Sequence, residues 1–259
     1  MNLERRFGGL ARLYGKEGAA KIQAAHVAVI GVGGVGSWAA EAFVRSGVGA
    51  ITLVDFDQVA ESNVNRQIHA LEANFGKAKV HALQERFAQI NPQCTIFAVE
   101  EFVEAPSACV PGNWPGLLPE LPHAIIDACD QVRVKAMMAA WAIRQKRLSF
   151  ITVGAAGGKE LAHLVDMADL SEITHDPLLA QMRYRLRKEY GFPRQGRMKV
   201  RGVFSKESVR QPDPSCSVGQ GGHDGTLNCH GYGSAVSVTA TFGMVAAGQI
   251  LHDLAYSKL

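Results

Sequence analysis

No two cysteines in this 259-residue chain are spaced as a C-x-x-C pair. Its five cysteines, Cys94, Cys109, Cys129, Cys216 and Cys229, are an odd number scattered along the chain. That pattern excludes a disulfide framework and a four-cysteine zinc site, and a reducing cytoplasm is the expected setting. The residues around Glu4, Arg5 and Arg6 lack an apolar stretch, so no signal peptide is expected. Residues 234–251 carry no charge for 18 positions, but they are rich in Ser, Thr, Gln and Gly. A membrane span takes about 20 mostly apolar residues, so this segment reads as a buried helix. Repeats and low-complexity tracts are also missing.

Acidic residues are scarce in one region. Residues 183–210 hold ten lysines and arginines against Glu189 and Glu207, a local +8 that leaves −5 for the rest of a chain of net charge +3. A stretch of that kind suits an anionic partner such as RNA. Elsewhere the composition, 47% hydrophobic and 20% charged, is that of an ordinary globular domain.

Alternating apolar runs and helical stripes set the expected fold. Short apolar strands are expected at 27–31, 51–55, 95–99, 124–127 and 150–153, with helices at 37–46, 77–90 and 132–146 between them. Five prolines between 105 and 123 imply an irregular connection there. The βαβ alternation predicts an α/β fold with a doubly wound, mostly parallel sheet. The expected nucleotide-binding core is 22–158. A loop-rich, basic C-terminal elaboration at 159–259 completes a single domain over 1–259. It is expected to hold a helix starting at Asp176-Pro177, a short strand at 200–204 and the apolar helix near 234–254.

The chemistry concentrates in residues 31–79. Gly31, Gly33, Gly34 and Gly36 follow the first strand and open the first core helix, as a phosphate-approaching turn does. Asp55 ends the next strand nineteen residues after Gly36, where a ribose hydroxyl binds, and Asp57 follows it. The glycines alone are equally consistent with a tight strand–helix turn. Asn63, Arg66, Gln67 and Lys79 discriminate further. A planar guanidinium and a point-charge ammonium near a glycine turn suit a polyphosphate whose charge grows as it breaks. A nicotinamide-binding oxidoreductase would leave Arg66 and Lys79 unexplained. Asp127 and Asp130 close the fourth strand; a carboxylate there suits Mg²⁺ between phosphates. An alternative role for Asp130 is to cap the helix from Val132.

In this order, G-x-G-G-x-G, D-x-D, N-x-x-R-Q, G-x-x-K and D-x-x-D resemble the ThiF/MoeB-like superfamily of ubiquitin-activating-type adenylating enzymes. The resemblance implies adenylation of a carboxylate with Mg²⁺ and ATP in a homodimer. It places Asp55 at the ribose, Arg66 and Lys79 at phosphates, Asn63 beside them, and Asp130 at magnesium. Within the superfamily, residues 6–15, 33–42, 65–71 and 89–92, together with Cys229 and residues 239–243, resemble the tRNA threonylcarbamoyladenosine dehydratases. That branch implies a tRNA substrate, bound through its anticodon arm, and ring closure driven by ATP. Relatives that activate carrier proteins have an arginine where this chain has Gly9, so Arg12 is the expected cross-subunit arginine. Those relatives often hold zinc on C-x-x-C pairs, absent here.

Cys229 is read either as a nucleophilic thiol, as in sulfur-relay relatives, or as a small buried thiol. Cys216 is assigned no role. The rival activities are adenylation of the C-terminal carboxylate of a sulfur-carrier protein and a sulfur-transfer accessory working with a cysteine desulfurase.

Overall fold

The computed structural model describes residues 3–107, 109–213, 215 and 232–256. Cys216 and Cys229 lie outside the described residues. Helix α1 (Leu3–Ala24), kinked at Gly15, precedes β1 (His26–Ile30), α2 (Gly36–Arg45), β2 (Ala50–Val54), α3 (Lys79–Ile90) and β3 (Thr95–Val99). Then come β4 (Ala124–Asp127), α4 (Val132–Ala142), β5 (Ser149–Val153), β6 (Val165–Asp169), α5 (Pro177–Glu189), β7 (Arg201–Ser205) and α6 (Val236–Tyr256).

The seven strands form one sheet in the order β3-β2-β1-β4-β5-β7-β6, parallel except for the β6–β7 pair. The order reverses between β1 and β4, which opens a crevice at the carboxyl ends of those strands. All five residues of β1 are buried, because helices cover both faces. One face packs α2, α3 and α6 around Phe43, Phe87 and Phe242. The other packs α4 and α5 around Met138, Leu179 and Leu186.

The expected doubly wound α/β sheet is therefore present, with three differences. The helix expected over 132–146 ends at Ala142. Strand β6 was not expected: Asp166 and Asp169 interrupt Val165-Asp-Met-Ala-Asp, and the strand survives as the antiparallel partner of β7 at the sheet's rim. Helix α1 was not expected either, because Gly8, Gly9, Gly15 and Gly18 depress helix propensity. It forms because Phe7, Ala19 and Ile22 are buried, with Gly18 close against Ala255 of α6. Ten residues of α6 are buried, and no helix among the described residues is long and apolar enough to cross a membrane.

Candidate functional site

A cavity of about 480 Å³ opens at the carboxyl ends of β1, β2, β4 and β5. Its floor is the turn from Gly31 to the N-terminus of α2. Gly31 has φ 82°, and a Cβ there would stand 2.9 Å from the Ala128 carbonyl oxygen, so only glycine brings the backbone this close to the loop after β4. Gly33 and Gly34 line the cavity as well. The Ser37 and Ala39 amides of the first turn donate to the Gly33 and Val35 carbonyls, each at 3.1 Å, and the positive end of the α2 dipole favours an anion near the turn.

Asp55 ends β2 and is nearly buried. Its Oδ2 accepts from the Val32 amide at 2.7 Å and its Oδ1 from the Asp57 amide at 2.9 Å. Burial pushes its carboxyl up, while Lys79 pulls it down. Lys79 is the first residue of α3, held by its amide's bond to the Asp57 carbonyl at 2.9 Å. Its Nζ donates to Asp57 Oδ2 at 2.6 Å.

Arg66 sits half-buried on the opposite wall, against Gly34. Burial lowers its pKa from the ordinary guanidinium value. Its Nη1 donates to the Ser62 carbonyl at 2.7 Å and to Asn65 Oδ1 at 2.9 Å, and the Trp38 indole donates to its carbonyl at 2.9 Å. Gln67 lines the cavity beside Gly33, and its buried Oε1 has no hydrogen-bond partner among the described residues.

Two expected nucleotide residues are placed elsewhere. Asn63 does not line the cavity; its Oδ1 accepts from the Ala60 amide at 3.1 Å and shapes the turn that carries Arg66 and Gln67. Asp127 is wholly buried beneath the floor. Its Oδ2 accepts from Thr152 Oγ1 at 2.7 Å and lies 3.1 Å from Lys135 Nζ, so none of its surface faces the cavity. The separation from Asp130 is physical: the first carboxylate turns inward to a buried ammonium, and the second turns outward.

Asp130 lines the cavity, and no hydrogen bond or ion pair engages its carboxylate among the described residues. It does not cap α4; the N-cap position is Gln131, and no side-chain cap is made there. No group of three His, Cys, Asp or Glu side chains could hold a metal among the described residues. A divalent cation at Asp130 would thus take its other ligands from phosphate or water, which is magnesium's habit.

Sequence reasoning missed Phe102, Gln181, Ser234 and Thr239, all of which line the cavity from distant segments. Arg12 lies exposed on α1, outside the lining of its own chain's cavity.

The basic segment 183–210 divides on inspection. Arg183 donates to the carbonyls of Leu170 and Ile173, at 2.9 and 2.8 Å. Arg201 Nη2 bonds Asp253 Oδ2 at 2.6 Å and Ser149 Oγ at 2.9 Å. Lys206 pairs with Asp166, and Arg210 with Glu160, each at 2.6 Å. Among the described residues, the exposed side chains of Arg194 and Lys199 make no hydrogen bond or ion pair, and Arg197 reaches Glu172 only at 3.9 Å. These three stand far from the cavity. Helix α5 starts at the cavity with Pro177 and Leu178 and runs away for 13 residues, roughly 20 Å. The loop after it returns at the amino end of the strands, beside Ser149.

The ThiF family profile matches residues 7–256. The chain belongs to the ThiF family. Among members of this ThiF family, it is 39% identical to the tRNA threonylcarbamoyladenosine dehydratase of Haemophilus influenzae, covering 99% of this chain and 96% of that one. It is 41% identical to the enzyme of the same name from Escherichia coli, over 96% and 93% of the two chains. The crystal structure of the E. coli tRNA N6-threonylcarbamoyladenosine dehydratase in complex with ATP superposes with a TM-score of 0.84 at 40% identity, covering 97% of this chain and 94% of that one. The ThiF-family relationship therefore extends over the C-terminal helix as well as the nucleotide motifs.

Proposed function

We propose that this chain is an ATP-dependent tRNA threonylcarbamoyladenosine dehydratase. The observation that carries the reading is the convergence, in one cavity, of the glycine turn before α2, Arg66, Lys79 and Asp130, whose carboxylate has no partner among the described residues. Near full-length identity to two enzymes of that name supports it.

In this reading, the carboxylate of the threonyl group attacks the α-phosphate of ATP, and pyrophosphate leaves. The acyl adenylate then meets the neighbouring carbamoyl group, which closes a five-membered ring and expels AMP. Net loss is one water, with ATP split to AMP and pyrophosphate. Ring closure is intramolecular, so orientation lowers its barrier and no protein nucleophile is required. Asp55 accepts from the ribose hydroxyls. Arg66 and Lys79 stabilise the charge that grows on the phosphates, and the α2 amides add a fixed positive field. Asp130 holds Mg²⁺, which when bound neutralises phosphate charge.

The assembly is a homodimer, in which exposed Arg12 reaches the partner's nucleotide. The modified nucleoside of the anticodon arm enters the cavity. Arg194, Arg197 and Lys199, on the far rim, hold phosphates of a more distant part of the same tRNA or of one bound by the partner. A tRNA substrate places the work in the cytoplasm. The sulfur-carrier reading uses the same nucleotide cavity and differs in its acceptor; Cys229, which a sulfur relay would use, lies outside the described residues.

An ATP–pyrophosphate exchange assay tests the proposal. Exchange should require tRNA bearing threonylcarbamoyladenosine, and nucleoside analysis should show a product lighter by one water. Exchange stimulated by a small carrier protein with a Gly-Gly tail, and not by that tRNA, would replace this reading with carrier activation.

A further inference from the structure

Lys135 lies on α4, five residues after Asp130, and neither its side chain nor that of Asp127 is exposed at all. Its Nζ donates to the Cys129 carbonyl at 3.0 Å and to the Asp127 carbonyl at 3.3 Å, and stands 3.1 Å from Asp127 Oδ2. All three partners belong to the three residues that precede Asp130. The opposite side of that loop is pinned too: Asp127 Oδ2 accepts from Thr152 of β5, and Asp127 Oδ1 from the Cys129 amide at 3.3 Å and thiol at 3.0 Å. Gly31 closes against the Ala128 carbonyl from the cavity side.

Neutralising Asp127 would need one contact to its carboxylate. A buried ion pair also costs desolvation that an apolar pair of similar volume would not. The two additional bonds to backbone carbonyls fix the course of the chain from Asp127 to Asp130. Among the described residues Asp130 makes no hydrogen bond that would aim its carboxylate, so its aim is set by the backbone that carries it.

We propose that Lys135 is a positioning residue for Asp130, strapping the loop after β4 so that the Asp130 carboxylate faces the nucleotide cavity and its magnesium. The inference rests on the assignment of Asp130 to magnesium. Lys135 touches neither substrate nor cation and acts only through the loop.

The test uses the full chain in excess over a non-hydrolysable ATP analogue, with magnesium titrated in by calorimetry and a melting curve taken for each variant. Lys135→Met leaves Asp127 buried without a counter-charge and is expected to melt early. The double variant Asp127→Asn with Lys135→Met removes both charges and restores the melting curve. It should still bind magnesium about ten- to a hundredfold more weakly, the usual loss when an outer-shell support is removed. Its affinity for the analogue without magnesium should be unchanged. Asp127→Asn alone keeps both carbonyl bonds and should retain parental magnesium affinity. Parental affinity in a folded double variant would overturn the proposal, as would a weakened Asp127→Asn. Asp130→Asn is the control for the underlying reading: parental magnesium affinity there removes the cation from Asp130, whatever Lys135 does.

Discussion

Lys79 Nζ stands 2.6 Å from Asp57 Oδ2 and 3.9 Å from Asp55 Oδ1, so the ammonium is shared between the two carboxylates of the D-x-D motif. A polyphosphate entering the cavity competes for that ammonium. Lys79→Ala should cut pyrophosphate exchange by about a hundred- to a thousandfold, the usual cost of losing one transition-state donor. The fold should persist, read from an unchanged circular dichroism spectrum. Near-parental exchange would remove Lys79 from the phosphates.

The paired and unpaired cations of segment 183–210 should separate in experiment. Replacing Arg194, Arg197 and Lys199 with alanine should lower the log–log salt slope of tRNA binding by about 2–3, at roughly 0.7–0.9 per phosphate contact. Melting should not change. Arg201→Ala should do the reverse, because its guanidinium ties β7 to Asp253 and Ser149. A loss of about 1 kcal/mol lowers melting by about 2–4 °C in a domain of this size. Filter binding across a salt series, beside calorimetry, reads both; an intact slope in the triple variant removes the far rim from RNA binding.

His69 is wholly buried, and neither ring nitrogen has a hydrogen bond among the described residues. Burial, helped by Lys79 and Arg86, holds its pKa down at about 3. An unfolded histidine titrates near 6.5, so between about pH 6.5 and 3 the unfolded chain takes up a proton that the folded chain refuses. Stability contributed by this group is complete above that window and is lost as pH falls, by at most about 1.4 kcal/mol per pH unit. Urea denaturation at pH 7.5 and 5.5 should show a smaller acid-induced loss for His69→Leu than for the parent. Equal losses would mean that His69 is hydrated and titrates normally.

Cys229→Ser should retain substantial cyclisation, since the ring closes within the substrate. Activity at background in a folded variant, or a thioester trapped on Cys229 by mass spectrometry, would put a covalent enzyme intermediate into the reaction.

The strands were readable because a parallel sheet covered on both faces demands continuous apolar runs such as Val27–Ile30. That the glycine turn, Asp55, Arg66 and Lys79 belong together was readable because they fall at strand and helix ends, and all of them line one cavity. Asp127 and Asp130 were not separable in the same way. They lie three positions apart, the first ending β4 and the second on the loop after it, and their separation depends on Lys135 and on Thr152 of the neighbouring strand. Charge counting likewise marked ten cations in 183–210 but could not see that Arg183 braces two carbonyls or that Arg201 braces Asp253. Strand β6 hid behind its aspartates because pairing with β7, a contact made 32 residues later at Asp169↔Arg201 and 40 later at Val165↔Ser205, overrides local propensity.

Helix α6 crosses α2 at Gly243, where a Cβ would come within 2.5 Å of the Val35 carbonyl and 2.9 Å of the Ala39 amide. Thr239, one turn earlier, lines the cavity beside Gly34. The nucleotide motifs all precede residue 131, yet the wall beside the glycine turn comes from α6, far along the chain from Gly34. The cavity is therefore complete on this side only when α6 is docked across α2, so the packing of two helices and the shape of the site are one property.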